Sequence, residues 1–172
     1  MNKLILVDEN DLPLGTAEKM EAHEKGLLHR AFSVFIFNAQ GKMLLQQRAI
    51  NKYHSGGLWT NACCSHPYFE EETLVAAEKR LQEEMGFTTP LIKAFEFVYK
   101  ASFNNGLTEY EYDHVFIGKY DGGILPDIDE VADYCFMSIE GIKNSLQSNP
   151  YKYTEWFKIA FPKMEEYLAQ NP

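Results

Sequence analysis

The chain has 172 residues, 45% of them apolar, which suffices for one domain spanning 1–172 with a core that needs no disulfide staples. Sixteen basic residues against 25 acidic ones leave a net charge of −9, and no basic block or stripe interrupts the acidity, so nucleic acid is excluded as a partner. Three cysteines, two of them adjacent at Cys63 and Cys64, fit a reducing compartment, and with no secretory leader and no membrane-length apolar run the chain reads as cytoplasmic.

In chain order, Leu4 to Val7 reads as a short strand ended by the polar run Asp8 to Asp11. Thr16 to His29 mixes a strand with one or two helical turns. Phe32 to Phe37 is a buried strand closed by the Asn38-Ala39-Gln40-Gly41 turn, and Met43 to Gln47 is expected to pair back on it as a hairpin. Asn51 to Pro67 has no helical period and carries Gly56-Gly57, so it is expected to be a functional loop. Glu70 to Met85 is an amphipathic helix with Leu74, Ala77 and Leu81 on its apolar stripe, acids in its first turn and Gly86 at its end. Ile92 to Phe103 and Leu107 to Tyr120 form a long hairpin around Asn104-Asn105-Gly106. A short strand, Tyr134 to Met137, precedes helices over Ile139 to Leu146 and Thr154 to Leu168. The sum is a mixed sheet with helices packed on it, an α+β or α/β sandwich.

The chemistry concentrates in Cys64-Ser65-His66-Pro67, Glu84 and the run Glu109-Tyr110-Glu111-Tyr112-Asp113. Alternation along a strand puts Glu109, Glu111 and Asp113 on one face. A solvated edge would explain three such acids, but the apolar Val115-Phe116-Ile117 that follows argues for burial, where carboxylates need cations. Among five histidines, His23 and His29 flank one loop and His66 follows Cys64. Imidazoles and carboxylates together suit Mn²⁺, Mg²⁺ or Zn²⁺ and do not choose among them. A thiol beside such a site is a candidate base or nucleophile. Cys63 and Cys135 read as small apolar residues, and His54, His114 and Asp121-Gly122-Gly123 carry no assigned role.

The segment Lys79-Arg80-Leu81-Gln82-Glu83-Glu84-Met85-Gly86-Phe87 resembles the end of the Nudix box, with Glu71 at matching spacing. Arg80 stands where hydrolytic members carry a metal-binding Glu, and Ser65 where the box has its leading Gly. With His23…Leu28-His29-Arg30-Ala31-Phe32-Ser33, Trp59-Thr60-Asn61-Ala62-Cys63-Cys64-Ser65-His66-Pro67 and Glu109-Tyr110-Glu111, the chain closely resembles type I isopentenyl-diphosphate Δ-isomerases over nearly its whole length.

The resemblance implies a Nudix-like α/β/α sandwich and interconversion of isopentenyl and dimethylallyl diphosphate by proton addition and removal through a carbocation. It implies Cys64 and Glu111 as the acid–base residues, in an order left open, and Tyr99 as a relay beside Glu111. Trp156 would face the cation; from its helix alone it is equally well a core residue. The resemblance further implies a metal site of His23, His29, His66, Glu109 and Glu111, with Glu84 helping to hold a Mg²⁺ that bridges to the substrate diphosphate. Lys19, Arg48, Lys52 and Arg80 would bind that diphosphate. The oligomeric state, monomer or homodimer, stays open. Competing expectations are a Nudix diphosphate hydrolase, disfavoured by Arg80 and the Cys-Ser-His-Pro segment, and a silent diphosphate-binding scaffold, disfavoured by the thiol–carboxylate pair.

Overall fold

The structure, a computed structural model, describes residues 3–172. Strands β1 (Leu4–Val7) and β2 (Pro13–Ala17) pair antiparallel and lead into helix α1 (Lys19–Lys25). The central strand is β3 (His29–Phe37), buried over nearly its whole length. On one edge it pairs parallel with β8 (Thr108–Lys119), from His29↔Glu111 to Phe37↔Lys119. β8 in turn pairs antiparallel with β7 (Ile92–Ser102), the expected long hairpin. A strand covered on both faces tolerates continuous apolar sequence, and Phe32-Ser33-Val34-Phe35-Ile36-Phe37 supplies it.

Helices cover both faces. Phe32, Val34, Ile36 and Phe116 pack against Ala76, Ala77, Leu81 and Met85 of α2 (Thr73–Met85). Phe35, Phe37 and Val115 pack against Ile142 of α3 (Ile139–Ser148) and Phe157, Ala160 and Phe161 of α4 (Glu155–Gln170). The period-2 alternation of β3 and β8 therefore sorts the core into two layers, an α/β/α sandwich around a mixed sheet, as expected. His29, Ser33, Glu109, Glu111 and Asp113 share the parity that faces α4.

Four local expectations are corrected. Strand β4 (Met43–Arg48) does not return along β3: only Phe37↔Met43 pair, because β4 spends one edge on β9 (Val131–Met137), from Met43↔Met137 to Arg48↔Val131. β3 and β4 splay apart, and residues 59–65 occupy the gap. There β5 (Trp59–Thr60) pairs with β4, and β6 (Cys63–Ser65) pairs with β3 through Ser33↔Cys64. Cys64 thus lies on a strand, not in a loop. Helix α2 starts at Thr73, not Glu70, and has no acid in its first turn. Glu70 has φ 68°, a left-handed conformation that cannot belong to a right-handed helix. Finally, β9 begins at Val131, three residues before the expected Tyr134.

Candidate active site

The splayed gap opens onto a cavity lined by Lys19, Arg48, Lys52, Cys64, His66, Arg80, Glu84, Tyr99, Glu109, Glu111 and Trp156. His23 and His29 are fully buried beneath it. Every site residue expected from the sequence is therefore in this region, delivered by α1, β3, β4, the 49–58 loop, β6 and the residue that follows it, α2, β7, β8 and α4.

Cys64 is fixed from behind. Its thiol donates to Asn61 Oδ1 at 3.1 Å. Asn61 Nδ2 donates to the carbonyls of Val34 and Cys63, both at 3.0 Å, so the amide cannot turn round. Thr60 Oγ1 donates to the same Oδ1 at 2.9 Å and receives Thr154 Oγ1 at 3.0 Å, which ties the thiol to the N-cap of α4. On the other side Ser33 Oγ lies 3.6 Å from Cys64 Sγ and donates to Asp113 Oδ2 at 2.7 Å. Burial, followed by the Asp113 carboxylate, pushes the thiol up to about 12, so it rests protonated. Burial also holds the Asp113 carboxyl well above the usual carboxylate range.

Glu111 Oε1 lies 2.9 Å from His66 Nε2, and Oε2 accepts from the Tyr99 hydroxyl at 2.6 Å. The same hydroxyl lies 3.2 Å from Glu109 Oε2. Burial, then the neighbouring Glu109 charge, pushes Glu111 up to about 8. Two buried carboxyls so close share a proton unequally, and Glu111 keeps it. Burial opposes ionisation of Glu109 too, but the neighbouring Glu111 carboxyl and the imidazoles of His23 and His54 beside it outweigh it and hold Glu109 well down.

The donor set suits a divalent ion. His23 Nδ1 donates to the Lys19 carbonyl at 2.6 Å and His29 Nδ1 to that of Leu27 at 2.8 Å. Each ring therefore presents its Nε2 lone pair inward. His23 Nε2 is buried without a hydrogen-bond partner among the described residues, and His29 Nε2 lies 3.2 Å from His66 Nε2. Donor atoms of His23, His29, His66 and Glu111 fall within 4.8 Å of one another. Glu109, expected in the same set, gathers instead with His23 and His54. Buried imidazoles stripped of partners are costly unless something binds them. Burial drives His66 down to about 3, leaving a neutral ring able to ligate.

The cations form a separate wall. Arg80 Nε meets Glu84 at 2.9 Å and Arg80 Nη2 meets Glu130 at 3.0 Å, and Lys52 also pairs with Glu130. Gln46 Nε2 donates to Glu84 at 2.9 Å. Burial raises the Glu84 carboxyl and lowers the Lys19 ammonium. The Arg48 guanidinium lies 5.2 Å from the Trp156 ring, and its Nε is buried with no partner among the described residues. This wall of four cations suits a multiply charged anion in an otherwise acidic chain.

The NUDIX domain family model matches residues 27–157. The isopentenyl-diphosphate Delta-isomerase 2 of Photorhabdus laumondii is 48% identical over 95% of this chain and 96% of its own length. The isopentenyl-diphosphate Delta-isomerase of Pectobacterium atrosepticum is 48% identical over 97% of this chain and 93% of its own. The chain belongs to the isopentenyl-diphosphate Delta-isomerase family. Solved structures agree on the fold at lower identity. A Deinococcus radiodurans protein superposes with a TM-score of 0.71 at 15% identity, covering 86% of this chain and 90% of its own. The MutT protein of Methanosarcina mazei superposes with a TM-score of 0.67 at 18% identity, covering 84% and 95%. Against this family background, the departures at Arg80 and Ser65 sit in a NUDIX framework whose relatives are named as isomerases.

Sequence reasoning left Ser33, Asn61, Tyr53, His54 and Glu130 without roles at the site. Only His54 carried a signal, as an unassigned histidine in the glycine-rich segment. Glu130 arrives from just before β9, far in sequence from the cations it pairs with. His114, also unassigned, faces the opposite side of the sheet, where it meets Asp11 Oδ2 at 2.9 Å. Glu71 stays out of the cavity: it accepts from the Tyr68 backbone N–H at 3.0 Å.

Proposed function

We propose that this chain interconverts isopentenyl and dimethylallyl diphosphate, with Cys64 and Glu111 as the two proton-transfer groups. The observation that supports this best is that the Cys64 thiol and the Glu111 carboxyl line one cavity, each with its own hydrogen-bond network. An alkene is a feeble base, so the reaction needs a strong proton donor at one carbon, an acceptor at another, and little water. Cys64, held by Asn61 and Ser33 on β6, serves one side. Glu111, held by Tyr99 and His66 on β8, serves the other, with β3 between the two strands. Because the reaction is reversible, donor and acceptor exchange roles with direction. Tyr99 bridges Glu111 and Glu109 and passes a proton between them.

The Trp156 ring faces the cavity and stabilises positive charge on the carbon skeleton, worth about 2 kcal/mol when desolvated. Lys19, Arg48, Lys52 and Arg80 hold the diphosphate, the arginines by paired N–H groups and the lysines as point charges. A divalent ion (Mn²⁺, Mg²⁺ or Zn²⁺) held by His23, His29, His66, Glu109 and Glu111 would orient Glu111 and set its acidity, and Mg²⁺ at Glu84 would neutralise diphosphate oxygens. Arg80, where a hydrolase needs a carboxylate, fits anion binding and not attack of water at phosphorus.

A time course of isopentenyl diphosphate with the purified protein and Mg²⁺ in D₂O, followed by proton and phosphorus NMR, tests this. The expected result is dimethylallyl diphosphate carrying deuterium with no phosphate release. Release of phosphate would assign the chain to the hydrolases, and an unchanged substrate in the presence of metal and reductant would leave a binding protein.

A further inference from the structure

His54 is a buried imidazole that the proton-transfer reading does not use. It lies on the 49–58 loop, whose base is closed by backbone bonds from Arg48 to Leu58 and from Gly57 to Arg48. Its ring stacks on Phe103 at 4.7 Å and 11° and meets the Trp156 ring edge-on at 5.8 Å. This packing aims Nε2 at Glu109 Oε1, 2.8 Å away. The approach is outside hydrogen-bond alignment: among the described residues Nε2 of His54, like Nε2 of His23, is buried with no hydrogen-bond partner. Two orphaned imidazole nitrogens converging on one carboxylate oxygen (His23 Nε2 is 3.3 Å from it) form the pattern left when the cation between them is removed.

His23 belongs both to this group and to the group with His29, His66 and Glu111. Its Nδ1 is committed to the Lys19 carbonyl, so it has one lone pair and serves one ion at a time. The two groups are therefore alternative or merged halves of a single centre. We propose that His54 is a further, loop-borne ligand of the one divalent ion at this centre, entering together with Glu109, so that metal occupancy clamps residues 49–58 over the cavity. The clamp would fix Lys52 and Tyr53, which line the cavity from the same loop, and Asn105, which donates to the Tyr53 carbonyl at 3.2 Å. The inference rests on the reading that the His/Glu centre holds a divalent ion.

Co²⁺ titration of the chelator-stripped protein tests it, with affinity from chelator competition, the visible d–d spectrum, and limited proteolysis of residues 49–58. Wild type, His54→Ala, His54→Gln and His29→Ala are compared, each checked for native circular dichroism. The expected result is Co²⁺ affinity lowered at least 10-fold in both His54 variants, a shifted d–d band, and loss of metal-dependent protection of the loop. If His29→Ala loses Co²⁺ while both His54 variants keep wild-type affinity and spectrum, the metal centre stands and His54 is not a ligand. Weakened affinity with an unchanged band would also overturn the proposal, by placing His54 outside the coordination sphere. Failure of the wild type to bind Co²⁺ would overturn the metal reading and the proposal with it.

Discussion

Cys64 donates to an amide oxygen whose own N–H₂ group is held by two backbone carbonyls. An acceptor that cannot flip favours S–H over S⁻, in the same direction as burial. The thiol is thus built to carry a proton, and its removal should affect proton transfer and little else. Cys64→Ala is expected to lower kcat by about 10²–10⁴-fold, the usual worth of one general acid, with diphosphate affinity little changed by calorimetry, because the diphosphate is assigned to Lys19, Arg48, Lys52 and Arg80 and not to the thiol. Wild-type turnover in that variant would remove Cys64 from the mechanism. Trp156 differs, because its ring already faces the Arg48 guanidinium and its indole N–H is buried without a partner among the described residues. Trp156→Phe keeps an aromatic face and loses an unsatisfied donor, so it should retain more activity than Trp156→Leu. The gap is set by a cation–π contribution of about 2 kcal/mol, roughly 30-fold in kcat. Steady-state kinetics of both variants decide the matter, since equal losses would mean that the ring only packs.

Elements transmit these positions, and helix α2 is the clearest case because it presents both Arg80 and Glu84 to the cavity. It stops at Gly86, where φ is 75° and an added Cβ would lie 2.2 Å from the Leu125 carbonyl oxygen. Relief requires moving backbone, not a flexible side chain. Gly86→Ala should therefore destabilise by about 2–4 kcal/mol, combining left-handed strain with the clash. Urea unfolding measures this, and a loss below about 1 kcal/mol would show that the 124–126 segment yields easily. The end of α2 was legible from Gly86 because conformation there is dictated by one residue type. Its start was not, because Glu70 adopts a left-handed φ that glutamate rarely takes. The β7–β8 hairpin was legible from Asn104-Asn105-Gly106 between alternating strands. β6 was not: three residues hold no period, and Cys63-Cys64-Ser65 is a strand only because β3 offers it an edge. The same limit applies to the site. Cys64, Glu111 and the cations were readable through motifs that resemble a known family, whereas Ser33, Asn61 and Glu130 matter through partners distant in sequence, which spacing does not encode.

Over the whole molecule, the sandwich buries histidines on both sides of its sheet, and this fixes how stability responds to acid. His54 and His66 lie in the cavity on the α4 side, and His114 lies on the other side between Asp11 and Glu96. Burial is the largest influence on each of the three and lowers its pKa from the ordinary value of 6.5. Above that value the rings are neutral whether the chain is folded or unfolded, and they add no pH dependence. Below it the unfolded chain takes up protons that the folded chain refuses, so stability falls as pH falls, by at most about 1.4 kcal/mol per pH unit for each ring. At His114 the negative charges of Asp11 and Glu96 offset part of the burial effect without reversing it. Chelator-stripped protein should therefore lose stability between pH 7.5 and 5.5, as read from the urea midpoint at each pH. His114→Gln removes one of the three proton acceptors while leaving the cavity untouched, so its midpoint should fall less over the same interval. An identical fall in both proteins would mean that the ring beside Asp11 titrates alike in the folded and unfolded chains, and that the acid sensitivity resides in the cavity histidines alone. Adding back a divalent ion should deepen the pH dependence of the loaded state in both proteins equally, because protons and metal compete for His54 and His66 but not for His114.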